Sequence, residues 1–265
     1  MEARKILAFL SLKYDGDWNR IYDDISARKE YEEKEVEEAL KKIKSNYIVF
    51  SDPEYPESLR QCCKPPFVLF YAGDISLLSD THNKLAVVGT RDPSEYGLRV
   101  TNDFVSKLAK DFVIISGLAL GIDSAAHKAC IENGGKTIAV LGHGLNKYYL
   151  DINKDLFEII KEKHLIITEY PDDVPPEPKN FPVRNRIIAG LCDNVLIPEG
   201  RKRSGTQVTA HLMARKGGNV CCVPTRIDED SICNSLIASG AYLVECPEDI
   251  YLIANVVSPK PIFES

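Results

Sequence analysis

With 265 residues, 44% of them hydrophobic and 27% charged, the chain has the composition of a soluble globular protein and is long enough for one large domain plus a small one. Its formal net charge of -6 excludes a protein that coats nucleic acid over its whole surface, yet leaves room for a local basic groove. No apolar run approaches the roughly 20 residues that cross a bilayer, and Met1-Glu2-Ala3-Arg4-Lys5 opens no signal-peptide pattern, so a cytoplasmic protein with no membrane partner is expected.

In chain order, residues 1–46 read as a small helical segment. Ile6, Leu7 and Leu10 recur at helical spacing, Trp18, Ile21, Tyr22 and Ile25 form a second stripe, and Val36, Leu40, Ile43 and Tyr47 a third. So few apolar residues make a weak core, and the segment is expected to lean on the larger domain C-terminal to it. Strands are predicted over 47–50 and 67–73, as an extension of the main sheet.

From Lys84 onward the pattern alternates. Strands are predicted over 85–88, 112–116, 137–141, 165–168, 194–197, 219–223 and 242–244, with helices over 96–110, 124–132, 154–161, 185–191, 205–216 and 231–239. The strand runs are continuously apolar, as parallel strands covered on both faces require. The fold class is therefore α/β, a doubly wound and mostly parallel sheet, whose ligands sit beyond the carboxyl ends of the strands. The region 47–255 forms this domain, and 256–265 is a short tail.

The unusual residues fall at those strand ends. The first loop is Gly89-Thr90-Arg91, with Ser94 placed to cap the next helix. It is neither G-x-G-x-x-G nor a Walker loop, which leaves dinucleotide and ATP binding unsupported. The second, from Ser116 through Gly117 and Gly121 to His127, offers an amide nest for an anion, with Asp123 or Ser124 as the helix cap. His127 faces either the ligand or Asp123. Gly142-His143-Gly144 implies tight packing at the same edge, and Tyr148-Tyr149 serve either as stacking platforms or as an anchor.

A proline-rich loop over 172–179 then delivers Phe181-Pro182-Val183-Arg184-Asn185-Arg186. Two guanidinium groups before an apolar run either hold an anion at a helix start or pair with Asp193 and Glu199. Residues 198–206, with Arg201-Lys202-Arg203 before Ser204-Gly205, supply a further amide cluster. Between Lys179 and Arg203 stand six basic residues against two acidic ones, a local excess that points to a nucleic-acid groove. The eight cysteines show neither C-x-x-C nor zinc-ligand spacing, so reduced thiols and no metal are expected.

These motifs resemble the DNA processing protein A family (DprA, also called Smf). The resemblance runs from about Pro53 to Ile250 and rests on Gly89 to Arg91, Ser116 to His127, Thr137 to Gly144, Phe181 to Leu191 and Ser204 to Ala210. It implies an extended Rossmann-like fold, a homodimer formed through 234–244, no cofactor and no enzymatic turnover. The implied work is to bind and protect single-stranded DNA and to help load the RecA recombinase in natural transformation. Carried over by motif, the DNA site comprises Gly89, Thr90, Arg91, Ser116, Gly117, Gly121, Lys179, Phe181, Arg184, Asn185, Arg186, Ser204 and Gly205. Where the family shows proline-glycine and then serine-x-glycine-x-asparagine, this chain reads Pro224-Thr225 and Ser231-Ile232-Cys233-Asn234. No winged-helix domain is expected after Ile253. The alternative is a nucleotide sensor or a phosphoribohydrolase-like enzyme, but the stretch from Pro198 to Thr209 lacks the catalytic glutamate of that motif.

Overall fold

The computed structural model describes residues 2–79, 81–148 and 153–256. Three helices come first, α1 (Ala3–Lys13), α2 (Trp18–Ser26) and α3 (Glu33–Leu40). There follow β1 (Asn46–Val49), α4 (Glu57–Arg60), β2 (Val68–Gly73), a 3-10 turn (Ile75–Leu78) and β3 (Lys84–Val87). The alternating part continues as α5 (Glu95–Leu108), β4 (Val113–Ser116), α6 (Ile122–Glu132), β5 (Thr137–Leu141), α7 (Lys154–Lys163) and β6 (Leu165–Thr168). It closes with α8 (Asn180–Leu191), β7 (Asn194–Ile197), α9 (Gly205–Arg215), β8 (Asn219–Cys222), α10 (Cys233–Ala238), β9 (Tyr242–Leu243) and α11 (Pro247–Ile253).

The strands form one sheet in the order β1-β2-β6-β5-β4-β3-β7-β8-β9. From β6 to β9 every pairing is parallel, whereas β1 and β2 join antiparallel and extend the sheet past β6. Strand order reverses at β3, which lies between β4 and β7, so the loops after these three strands share one crevice.

Period-two alternation sorts the strand side chains cleanly. Ala86, Val88, Ile115, Ile138, Val140, Leu165, Ile167, Val195 and Ile197 face α4, α8, α9 and α10. Leu85, Val87, Ile114 and Leu196 face α5, α6 and α11, while Ala139, Leu141 and Ile166 meet Phe157 and Ile160 of α7. Both faces are covered, which is why these strands read as unbroken apolar runs.

The first three helices share a small cluster of Phe9, Leu10, Tyr14, Ile21 and Val36, with Phe67 packed against it. The segment leans on the sheet as expected: Trp18 Nε1 donates to the Pro65 carbonyl at 2.8 Å, and the Asp172 carboxylate accepts the Lys44 and Ser45 amides at 3.0 and 3.1 Å. None of the described helices is long and apolar enough to cross a membrane.

One expected boundary moves with consequence. Helix α8 begins at Asn180, not at 185, because Pro182 falls in its first turn, where a missing N–H breaks no intrahelical bond. Arg184 and Arg186 therefore occupy the second turn rather than the helix start. Helices α4 and α11 and the 3-10 turn were not among the predicted elements, although α11 opens on Pro247 with Asp249 accepting the Cys246 amide, a readable helix start. The predicted tail lies almost wholly outside the described residues, as does Tyr149.

Candidate nucleic-acid interface

Three loops at the switch point are laced together by their backbones. The Thr90 amide donates to the Glu199 carbonyl at 2.9 Å, and the Ile122 amide donates to the Thr90 carbonyl at 3.1 Å. Gly121 has φ +77, in the left-handed region, and a Cβ there would run into the Thr90 carbonyl. Ser94 caps α5 as expected, accepting from the Gly97 amide at 3.1 Å. Glu199 sits at that same helix start, accepting the Ser94 hydroxyl at 2.6 Å and the Ser94 amide at 3.1 Å. The amides opening α5 thus meet an internal carboxylate.

The nest after β4 is likewise filled from within. Asp123 is buried, and its carboxylate accepts the Gly117 amide at 3.1 Å together with the amides of Ala119 and Gly89. Burial pushes this carboxyl up, against the pull of Arg184 and those three amides. Neither Asp123 nor Ser124 is the N-cap of α6, a position held by Gly121 just before the helix starts at Ile122.

Arg184 is only 3% exposed. Its Nη1 donates to the Gly117 carbonyl at 2.8 Å and to that of Val140, and its Nε to Asn185 Oδ1 at 3.2 Å. Burial, with Arg91 nearby, lowers it to about 10, so it stays charged at neutral pH beside Asp123. Arg186 forms a two-pronged pair with Glu169, at 2.7 and 2.5 Å, and also donates to the Lys64 carbonyl at 2.9 Å. Neither arginine pairs with Asp193 or Glu199, the partners expected from proximity: Asp193 pairs with Lys216. The two guanidinium groups are struts that fix α8 beneath the loops, and they do not offer themselves to a ligand as expected.

Other expected side chains also turn inward. The Ser116 hydroxyl donates to the Val87 carbonyl at 2.6 Å and is fully buried, and the buried Thr90 hydroxyl stays within its own turn at Asp92. Gly89 is wedged between Ile122 and the Glu199 carbonyl. His127 meets neither ligand nor Asp123, since its Nδ1 lies 2.7 Å from the Thr137 hydroxyl in the core. Tyr148 is an anchor, edge-on to Phe157 at 5.0 Å and bonded to Glu158. Around His143, Gly144 abuts the Pro171 carbonyl.

What remains on the rim is a smaller set. Arg91 is exposed and lies over the Phe181 ring, 5.3 Å from its centroid, and Phe181 leans on Gly142. Across the crevice, Arg201, Lys202 and Arg203 are exposed ahead of α9, and Arg201 pairs with Asp92 at 2.7 Å. Arg203 has φ 53, a left-handed conformation that costs a non-glycine residue about 1–2 kcal/mol. No side chain caps the start of α9; Ser204 donates instead to the Arg201 carbonyl at 2.6 Å, and Gly205 is held from behind by Asn185 Nδ2 on its carbonyl at 3.1 Å. Lys179 is exposed and pairs with Glu177 at 2.7 Å.

A crevice between Gly117, Gly142, His143 and Phe181 has a volume of about 20 Å³. That is the room of one water, too little for a base. Among the described residues, no group of three or more His, Cys, Asp or Glu side chains is placed to hold a metal ion.

Sequence reasoning missed Glu169 as the partner of Arg186, and it gave Asp123 and Glu199 other roles, a helix cap and an arginine partner, than the loop amides they accept here. The available signal for Glu169 was a carboxylate directly after a strand's carboxyl end, where a nearby arginine needs one.

The geometry can be set beside known proteins. A family model, DNA recombination-mediator protein A, matches residues 46–255. DNA processing protein DprA of Streptococcus pneumoniae is 41% identical over 201 residues, covering 75% of this chain and 71% of that one. DNA processing protein DprA of Bacillus subtilis is 37% identical over 209 residues, covering 78% and 70%. The X-ray structure of the Streptococcus pneumoniae protein superposes with a TM-score of 0.83 at 32% identity, covering 95% of this chain and 98% of that one. DNA processing protein A from Helicobacter pylori, whose structure is described as giving insight into a single-stranded DNA binding mode, superposes with a TM-score of 0.73 at 29% identity over 81% of this chain and 99% of that one. The expected extended Rossmann-like, doubly wound fold is the one observed, and the chain belongs to the DNA recombination-mediator protein A family.

Proposed function

We propose that this chain binds single-stranded DNA, protects it, and helps load a RecA recombinase during natural transformation, without catalysing a reaction. The observation that carries the reading is the rim: Arg91 stacked on Phe181, facing a basic loop and the uncapped first turn of α9 across one crevice. Phosphates rest on Arg91, on Lys202 and Arg203, and on the amides from Gly205 onward, where the helix dipole favours an anion. Bases stack against the outside of Phe181, because the crevice behind it is too small to admit one. Arg184, Asn185 and Arg186 shape the site from below, and Lys179 extends it.

Membership in a recombination-mediator family supports the recombinase as partner. The homodimer is supported by the β9 edge, where Tyr242 and Leu243 are each about half exposed. Eight free thiols support a reducing, cytoplasmic setting.

A fluorescence-anisotropy titration with short oligo-dT over a salt series tests the reading. With about four phosphates neutralised, log affinity falls against log salt with a slope near -3, at about 0.7 per phosphate. Absence of binding, or binding without salt dependence, removes the proposal. Release of free base from nucleoside monophosphates would instead support the hydrolase alternative.

A further inference from the structure

A second groove adjoins the rim, with a volume of about 740 Å³ against about 20 Å³ for the crevice behind Phe181. Lys179, Asn180, Pro182 and Val183 line the groove, while Phe181 in their midst lines the crevice, so the first turn of α8 is the ridge between the two. Val183 and Val208, 46% and 37% exposed, give the groove apolar side chains from α8 and α9. From the N-terminal helices it takes Trp18, Asn19 and Arg20 of α2, and from the loop before β2 it takes Lys64. Trp18 belongs to a pile of rings. It stacks on Tyr22, one helical turn away, at 5.0 Å with planes 11° apart, and on Phe67 at 5.3 Å and 21°. Phe67 and the bond from Trp18 Nε1 to the Pro65 carbonyl hold the pile against the entry to β2, and Tyr22 ends it, 50% exposed.

Cations flank the pile. Lys64 Nζ lies 5.2 Å from the Trp18 ring centroid and donates to Asn19 Oδ1 at 2.6 Å, and the exposed Arg20 lies over Tyr14. Lys64 has φ 55, in the left-handed region, and its carbonyl is held by Arg186 Nε at 2.9 Å. A strained residue kept over an aromatic ring by the same arginine that props the DNA rim points to a functional position. The carboxylates of the groove are mostly taken. Asp17 accepts the Asn19 and Arg20 amides at 3.0 and 3.1 Å, Asp172 accepts those of Lys44 and Ser45, Asp173 accepts Asn146 Nδ2 at 3.2 Å, and Glu177 pairs with Lys179. Among the described residues Arg20, Lys42 and Lys64 have no carboxylate partner, so the uncommitted charge of the groove is these cations against Asp15.

We propose that this groove is a second subsite for single-stranded DNA: the strand leaving Phe181 crosses the α8 ridge at Lys179, stacks a base on Tyr22, and sets phosphates against Lys64 and Arg20. Apolar side chains flanked by cations and ended by an aromatic ring are the combination that takes an unpaired strand without regard to sequence. Lys179 can hand the strand over, because its exposed bridge to Glu177 is of the kind a phosphate displaces at little cost. The platform is pre-organised, since Phe67 and the Pro65 bond fix Trp18 behind Tyr22 before any ligand arrives. The subsite extends the function proposed above and rests on it for the entry of the strand at Phe181.

Trp18 is the one tryptophan of the chain, so its emission reports on the groove. The full chain is titrated with oligo-dT of about 6 nucleotides, enough for the rim, and of about 20, enough for both sites. The longer oligomer should bind about tenfold or more tighter, quench Trp18, and steepen the slope of log affinity against log salt by about 1.4, for two further phosphates at about 0.7 each. The shorter one should leave Trp18 emission unchanged. Tyr22→Ala combined with Lys64→Gln, first shown by melting to be folded, should lose the gain and the added slope yet bind the shorter oligomer as the parent does. If the paired change unfolds the chain, Arg20→Gln alone should remove about 0.7 of the added slope. Unmoved Trp18 emission under saturating longer oligomer, or a gain that survives these changes, overturns the subsite. Binding of the shorter oligomer with no added affinity for the longer sinks the subsite and leaves the rim standing, whereas failure of both oligomers to bind removes the function proposed above as well.

Discussion

Two sets of arginines stand at the same end of the sheet and do opposite work. Arg184 and Arg186 on α8 are buried, each satisfied by carbonyls or a carboxylate of its own chain, whereas Arg91 and Arg201 to Arg203 are exposed at the loop rim. The difference follows from the backbone each set grows from. A residue in the second turn of a core helix is delivered into the protein, and its charge must find an internal partner or be lost to desolvation. A residue in a βα turn is delivered to water. The floor accordingly sets shape and stability, and the rim sets affinity.

The sharpest way to break this contrast is to cut the floor. Arg186→Ala strands the Glu169 carboxylate, which is 4% exposed, and should cost about 3–5 kcal/mol. This appears as a drop of roughly 10 °C in Tm by calorimetry. The paired change Arg186→Met with Glu169→Leu should recover much of the loss, because it removes both charges together. A single variant that melts with the parent would mean that the pair is no strut.

Next in size is Gly121→Ala. Here φ is +77 and the new methyl meets the Thr90 carbonyl, so left-handed strain and a clash act together, at about 2–3 kcal/mol. Because the displaced atom belongs to the loop that carries Arg91, oligo-dT affinity should fall along with Tm. That double loss separates a loop-lacing residue from a rim residue.

The contrast also explains what could be read in advance. The described strands, and the helices between the parallel ones, announce themselves by apolar period and by glycine or serine at their ends. Loops at Gly89, Gly117 and Gly205 were legible as a shared edge because topology forces parallel strands to present their carboxyl ends together. The destination of a long side chain was not legible. Arg184 reaches the Val140 carbonyl 44 residues away, and Arg186 reaches Glu169 17 residues away, across elements whose spacing only the folded sheet defines. The start of α8 was misplaced for a related reason: the apolar run sets it at 185, behind Pro182, and only the folded chain shows the proline to be a first-turn residue of a helix that opens at Asn180.

At the rim, stability and affinity should separate. Phe181→Ala removes a half-buried ring that carries Arg91 on one side, and should weaken oligo-dT binding by about 1–3 kcal/mol, roughly 5- to 150-fold. Arg91→Ala should weaken binding as well while leaving Tm within a degree or so, since an exposed side chain stabilises little. Equal losses in Tm and affinity for Arg91→Ala would erase the distinction between floor and rim.

The smallest effect is the most discriminating. Lys202→Ala should reduce affinity by less than about 1 kcal/mol at physiological salt, but should flatten the slope of log affinity against log salt by about 0.7, the signature of one phosphate contact on a single strand. Arg201 differs, because it is already paired with Asp92 in an exposed bridge. Such a bridge is worth at most about 1 kcal/mol, so an incoming phosphate can displace the carboxylate. Asp92→Asn should then tighten binding slightly and leave the slope unchanged, because the number of phosphates contacted stays the same. A slope that flattens with Asp92→Asn and not with Lys202→Ala would place the strand on the Arg91 side of the crevice alone, and the basic loop before α9 would lose its role.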